Sequence, residues 1–257
     1  MKRILVVGES CRDIFVYCHA ERLAPDVPVP VLRVIEQTEN PGMAKNVERN
    51  IKNIYEHCEL VTNPNWKEVT KTRYVHRNSN HPFIRVDTDH HIPRISIHDM
   101  PLKEYDLIVI SDYNKGFLTE EDIAGICARH DCVFVDTKKI LGDWAAQAKY
   151  IKINNYEYER SRSTMSPALK GKTIVTKGEF GAEFCGRLYP VRQQIEVKDT
   201  SGAGDSFFAA LVVRYAEVDD IEQAIAFAND CAARVVAQKG VTMIERPRAF
   251  HEQGTKI

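Results

Sequence analysis

The sequence predicts an α/β protein with a mostly parallel central sheet and a smaller sheet beside it. Short apolar runs at residues 4–7, 107–110, 133–135, 150–153 and 173–176 each end at a small or polar residue, as strands buried on both faces do. Helix-period stretches alternate with these runs, the pattern of a parallel sheet. A separate group of strand-like segments carries prolines and a polar turn, which sets it apart from the main sheet.

Taken in order, Ile4-Leu5-Val6-Val7 stops at Gly8 and opens the central sheet. Residues 27–35 alternate loosely around Pro28 and Pro30; proline donates nothing to a ladder, so this segment reads as an edge strand. Residues 46–55 bring Val47, Ile51, Ile54 and Tyr55 to helical spacing. Residues 70–75 and 83–86 read as strands joined by the turn Arg77-Asn78-Ser79-Asn80. The small sheet is therefore drawn from about residues 13–36 and 70–88. Further on, Leu107-Ile108-Val109-Ile110 ends at Ser111-Asp112, Val133-Phe134-Val135 at Asp136, residues 150–153 at Asn154 and residues 173–176 at Lys177-Gly178. Two helices complete the chain: one after Gly204, with Phe207, Leu211, Val212 and Tyr215 on a shared face, and one over 221–238, with Gly240 where a C-cap glycine belongs. The whole reads as a single domain over residues 1–257, small sheet included.

The chain has 35 Lys and Arg against 36 Asp and Glu, a formal net charge of −1. That balance gives no general attraction to nucleic acid or to an anionic membrane surface. The N-terminal apolar stretch is interrupted at once by Glu9, Arg12 and Asp13, and the longest apolar run, residues 207–213, is far too short to span a bilayer. Seven scattered cysteines with no Cys-x-x-Cys pair fit reduced thiols and offer no zinc spacing. His90-His91 point to different sides of an extended chain and read as a solvated loop. A cytoplasmic protein with small-molecule partners, and neither nucleic acid nor membrane, is expected.

Ligands of parallel sheets bind beyond the strands' carboxyl ends. Asp112, Asp136, Asn154 and Lys177 are therefore candidates by position, although polar residues also simply terminate strands. The richest segment is Asp199-Thr200-Ser201-Gly202-Ala203-Gly204-Asp205-Ser206-Phe207. Small residues running into a helix let backbone N–H groups face an anion. A carboxylate beside such a cradle repels phosphate, but it is well placed to take a proton from an alcohol attacking phosphorus. Local pattern alone also allows a Ser/Gly turn that sets an acid at a helix start. A dinucleotide fingerprint fails because position 207 is Phe. Gly171-Lys172-Thr173 resembles the end of a Walker A loop, but position 166 is Ser and strand-like Ile174-Val175 comes next.

Residues 199–207 resemble, at every position, the C-terminal signature of the ribokinase-like (PfkB) carbohydrate kinases, Asp-Thr-x-Gly-Ala-Gly-Asp-x-Phe. Ala24-Pro25-Asp26-Val27-Pro28-Val29-Pro30-Val31, Pro41-Gly42-Met43-Ala44-Lys45-Asn46-Val47, Thr72-Arg73-Tyr74-Val75, Ile84-Arg85-Val86-Asp87 and Ser111-Asp112-Tyr113-Asn114-Lys115-Gly116 are similar to one branch of that family. That branch phosphorylates D-glycero-D-manno-heptose 7-phosphate and forms the kinase half of the bifunctional proteins of ADP-heptose synthesis. The resemblance extends from Ile4 to Thr242. It implies a ribokinase-like three-layer α/β/α fold with a small β lid, dimerisation through the lid, and MgATP-dependent phosphorylation of a sugar hydroxyl, the anomeric one in this branch.

The resemblance also implies roles. Asp205 is similar to the catalytic base, and Ser201, Gly202, Ala203 and Gly204 to the anion hole. Asp13, Gly42 and Asn46 match sugar-side positions, and Asp112 ends a strand on that side. Asn154 and Glu157 match the Asn-x-x-Glu motif that organises magnesium and phosphate; a lone Glu157 suits an ion that keeps its waters. Lys177, Gly178, Gly181 and Asn229 match the ATP side. A phosphorylated substrate needs cations at its far end, for which Arg73, Arg77, Arg85 and Lys115 are candidates.

The chain departs from the family at several points. Met43 stands where the second glycine of a substrate-side pair is usual, and Lys45 adds a charge before Asn46. Between the 46–55 helix and residue 70 a strand and helix are expected, yet a short segment around Glu59-Leu60-Val61-Thr62 is all that intervenes, so an edge unit of the sheet is expected to be lost. No His-x-Gly-His occurs, so no nucleotidyltransferase half is expected. Three functions stand: a kinase of a phosphorylated heptose-like sugar, a kinase of an unphosphorylated sugar or nucleoside, and a non-catalytic binder.

Overall fold

The computed structural model describes residues 1–88, 90–192 and 195–246. Strand β1 (Ile4–Gly8) lies inside an eight-stranded sheet, paired in parallel with β4 (Cys58–Val61) on one side and β7 (Leu107–Asp112) on the other. Strands β8 (Val133–Thr137), β9 (Tyr150–Asn154) and β10 (Thr173–Thr176) continue in parallel, and β11 (Ala182–Phe184) and β12 (Arg187–Tyr189) close the sheet antiparallel. Every residue of β1, β7 and β8 is buried.

Side-chain alternation divides this sheet's contacts into two cores. Ile4, Val6, Leu107, Val109 and Phe134 pack with helices α1 (Ala44–Ile54), α5 (Ala203–Val218) and α6 (Ile221–Val236). Leu5, Val7, Ile108, Ile110 and Val135 pack on the opposite face with α2 (Glu120–Arg129) and α4 (Pro167–Lys170). The result is the expected three-layer arrangement. Among the described residues, no helix is long and apolar enough to cross a membrane.

A second sheet has the order β3-β2-β5-β6, from β2 (Ser10–Leu23), β3 (Pro30–Met43), β5 (Thr70–His76) and β6 (Pro82–Asp87). The proline-bearing strand is an edge, as expected, but it runs on to Met43. Parity divides β5: Lys71 and Arg73 face the main body, while the partners of Tyr74 and Thr72 on β6, Ile84 and Val86, are exposed on the other side.

Two expectations need correction. The segment after α1 is not a simple loss of a sheet edge: Cys58–Val61 is itself the edge strand, in register with Ile4 to Val7. The connection beyond β4 is shortened instead, because residues 62–69 run through turns straight into β5. Gly240 is not the cap of the last helix. α6 ends at Val236 with Ala237 at its C-cap, and Gly240, at φ 75°, forms a later turn.

Candidate active site

The site forms where the small sheet meets the carboxyl ends of β8–β10 and the start of α5. Gly202 caps α5 at φ 77°, a left-handed conformation that suits glycine. The Ser201 N–H is taken by Asp199 Oδ1 at 2.8 Å, and the Ala203 N–H closes onto the Thr200 carbonyl at 3.2 Å. Among the described residues, the N–H groups of Gly202, Gly204 and Asp205 donate to no protein acceptor. The cradle is thus narrower than the expected four residues and shifted toward Asp205. Asp199 Oδ2 also accepts from Asn80 Nδ2 at 3.2 Å and from the Gly240 N–H at 3.1 Å, so the β5–β6 hairpin tip is tied to the loop preceding α5.

Asp205 is buried in the first turn of α5. Its Oδ2 accepts from Asn46 Nδ2 at 2.9 Å and its Oδ1 from the Tyr113 hydroxyl at 2.5 Å. Asn46 is oriented by its own helix: Asn50 Nδ2 donates to its carbonyl at 2.8 Å and its Oδ1 at 3.2 Å. Burial raises the Asp205 carboxyl above the usual carboxylate range, and the bonds from Asn46 and Tyr113 oppose that rise.

A cavity of about 320 Å³ opens before Asp205, lined by Asp13, Gly42, Asn46, Asn154, Gly178, Gly202 and Gly204. Lys71, Arg73, Tyr113, Asp136, Lys138 and Lys152 also line it. Lys152 and Asp136 form a buried ion pair at 2.8 Å. A Cβ on Gly204 would stand 3.2 Å from Lys152 Nζ. Lys138 pairs with Glu157 and lies 3.8 Å from Asp136 Oδ1; burial alone would lower its ammonium, but Asp136 and Glu157 together hold it above its usual value. Arg73 pairs tightly with Asp13, whose carboxyl burial raises against that pull. Lys71, lowered by burial, makes no ion pair among the described residues and sits 4.7 Å from the Tyr113 ring centre.

A second cavity of about 700 Å³ meets the first at Thr176, Gly178 and Gly204. Phe180, Val197, Ala232 and Val236 make it apolar, and Gly181, Ala203 and Asn229 also line it. Gly181 is obligatory at φ 93°, where a Cβ would stand 2.2 Å from the Tyr189 carbonyl oxygen. Asn229 donates to that same carbonyl at 2.7 Å.

The Asn-x-x-Glu pair has a local function. Asn154 caps α3 (Asn155–Ser161), accepting from the Glu157 N–H at 2.8 Å, while Glu157 accepts from the Asn154 N–H at 2.8 Å. Glu157 does not line the cavity; Lys138 and Asn154 Nδ2 stand on its Oε1. Among the described residues there is no cluster of three metal-ligating side chains. Asp136 Oδ1, buried and without a hydrogen bond, is the acceptor left open on the cavity wall. This donor set fits magnesium carried in by nucleotide phosphates and held through water.

Several expected residues lie elsewhere. Arg77 extends past the end of β5 to Glu36 at 2.5 Å on the surface. Arg85, opposite Arg73 and on its face, stays at the rim of the cavity, where its charge acts on Asp13 and Lys71 while it makes a two-pronged pair with Asp87 at 2.7 Å. Asp112 is buried beneath the sheet end, where Lys139 (2.9 Å) and Thr137 hold it. Lys115 lines a smaller cavity of about 120 Å³ that adjoins the first across Met43 and Lys71, and Lys177 pairs with Glu183 at 2.5 Å. Arg77, Arg85 and Lys177 have each met a nearby carboxylate. The residues missed by sequence reasoning are Lys71, Tyr113, Lys138 and Lys152. Lys152 had a signal: a charge in the middle of the buried strand Tyr150-Ile151-Lys152-Ile153.

The model for the pfkB family carbohydrate kinases matches residues 99–247. The chain is 30% identical to the bifunctional protein HldE of Helicobacter pylori (strain Shi470) and 28% to that of Caulobacter vibrioides, over 93% and 95% of its own length. It spans 64% and 62% of the length of those relatives. The alignments run over 298 and 302 positions, more than the chain's 257 residues, so both relatives carry insertions relative to it. In fold it is similar to ribokinase from Thermotoga maritima (TM-score 0.72, 17% identity, covering 94% of this chain and 95% of that one). It is also similar to Arabidopsis thaliana ribokinase complexed with ribose and ATP (TM-score 0.68, 14% identity, covering 93% and 94%). With more than half its length matched and an acid held beside an anion cradle, the chain belongs to the pfkB family of carbohydrate kinases, which are ATP-dependent enzymes.

Proposed function

We propose that the chain transfers the γ-phosphoryl group of ATP to a hydroxyl, the anomeric one, of a heptose-like sugar that already bears a phosphate. The observation that carries this reading is Asp205, buried in the first turn of α5 beside three unengaged N–H groups. Asp205 takes the proton of the attacking hydroxyl. The new bond joins that oxygen to the γ-phosphorus as the bond to the β–γ bridging oxygen breaks, and ADP leaves. The N–H groups of Gly202, Gly204 and Asp205 bind the phosphoryl oxygens, and Asn46 and Asp13 hold sugar hydroxyls. Adenine takes the apolar cavity beside Phe180 and Ala232, with its phosphates passing Gly178 and Gly204. Magnesium carried in with the nucleotide would be held through water by Asp136 and would neutralise charge on the phosphates, while Glu157, occupied by Lys138 and Asn154, acts behind the cavity by holding Lys138 in place.

Two features support a phosphorylated acceptor. Lys71 and Arg73 line the sugar cavity from the small sheet, and Lys71 has no carboxylate partner among the described residues. The relatives named HldE favour heptose as the sugar. The small sheet acts as a lid on one domain, and its exposed Val34, Ile84 and Val86 form the face through which two copies pair, in the cytoplasm. Sedimentation velocity reads that pairing. The substrate is tested by ADP release with heptose, hexose and pentose phosphates beside their unphosphorylated forms. Turnover that requires the phosphate is expected; equal turnover of the free sugars would overturn the assignment.

A further inference from the structure

We infer that Tyr113 is a positioning residue for the reaction: its phenol fixes the plane and the ionised form of the Asp205 carboxylate. This rests on Asp205 as the base. Tyr113 lies just beyond β7, in the 111–116 segment whose other residues found no place in the sugar cavity. Its direction is set by a local turn: the Asn114 N–H donates to Asp112 Oδ1 at 3.1 Å, and Asn114 takes φ 56°. Asp112, held by Lys139 and Thr137, thus anchors the turn that aims Tyr113 rather than meeting substrate.

The phenol donates to Asp205 Oδ1 while Asn46 donates to Oδ2. Two donors from two different elements leave the carboxylate no freedom to rotate. Ionised, it has about four lone-pair sites, so two remain for a sugar hydroxyl. Tyr113 acts here as a donor: burial and the charge of Asp205 keep its own proton bound well above the ordinary phenol range. A hydrogen bond donated to the charged form favours that form. The charged groups around the pair are Asp136 from β8, Lys138 just past it, Lys152 from β9 and Lys71 from the small sheet; the nearby Cys11 thiol, pushed up to about 11 by burial, is neutral. Lys71 and Lys138 lie 4.7 and 5.4 Å from the phenol ring centre, so the ring is gripped from the lid and from the nucleotide side. The hydroxyl's aim therefore depends on both.

Tyr113→Phe keeps the ring and both ammonium contacts and removes one oxygen. With the best acceptor from the sugar-phosphate panel, kcat should fall about 10- to 100-fold, the cost of a misplaced catalytic group. The KM for ATP should stay within about twofold, and the acid limb of the kcat profile should move to higher pH, since a donor to the ionised carboxylate is gone. In an Asp205→Asn background, Tyr113→Phe should have no further effect, because the two residues act as one unit. Unchanged kcat with an unmoved acid limb, or losses that simply multiply in the double variant, would overturn the inference. Full activity of Asp205→Asn alone would instead overturn the base assignment. Thermal melting of each variant separates both results from unfolding, and Tyr113→Trp, which keeps an aromatic ring without the phenol, should share the defect of Tyr113→Phe.

Discussion

The two cavities that meet at Gly178 and Gly204 are made of opposite materials. The cavity proposed for the sugar is crowded with buried and half-buried charge: Asp13, Asp136 and Asp205 against Lys71, Arg73, Lys138 and Lys152. The cavity proposed for the nucleotide is more than twice as large, about 700 against 320 Å³, and is walled by Phe180, Val197, Ala232 and Val236. Buried charges are costly unless paired, so they are retained where a reaction uses them. An apolar slot needs shape and exclusion of water. Variants on the sugar side should therefore act on turnover or on acceptor binding, and variants on the other side on ATP binding.

The sharpest break is Asp205→Asn, which should lower kcat about 10²- to 10⁴-fold while calorimetry finds ATP binding intact. Next is Lys71→Met, for which the KM of the phosphorylated acceptor should rise about 10- to 100-fold, as for a lost bond between charged partners, with the KM for ATP unmoved. On the far side, Ala232→Leu should raise the KM for ATP about tenfold and leave kcat alone, since one added branch fills part of the slot. Titrating wild-type activity sharpens the contrast further. The base must be ionised, and burial raises Asp205, so kcat should decline as pH falls at values above the ordinary carboxylate range. The smallest effect is at Met43, buried at φ 62° and ψ −135°, a conformation that glycine holds without strain. Met43→Gly should melt later than Met43→Ala, the two differing by about 1 kcal/mol despite the smaller side chain.

The layered sheet was legible because each parallel strand is a short apolar run with a polar stop, and the 199–207 segment located Asp205 by its small residues. Strand parity was the unused signal. It sets Lys71 and Arg73 on one face of β5 and carries Arg77 beyond the strand's end, which separates cavity residues from surface ones. Tyr113 was not legible, because its aim depends on a left-handed Asn114 and an Asx turn, and nothing in the composition of residues 111–116 fixes those. The chain's shortness suggests a lost sheet edge, yet the four residues of β4 suffice to make one against β1.

Asp199 has a consequence for the coupling of the two cavities. Its carboxylate joins the tip of the small sheet, through Asn80, to the turn that precedes the phosphate cradle, through Ser201. If the small sheet closes over bound sugar as proposed, this bridge would carry the closure to the cradle, and a nucleotide in the cradle would in turn steady the small sheet. Thermodynamic linkage then makes the gain mutual: whatever factor the sugar adds to ATP affinity, ATP returns to the sugar.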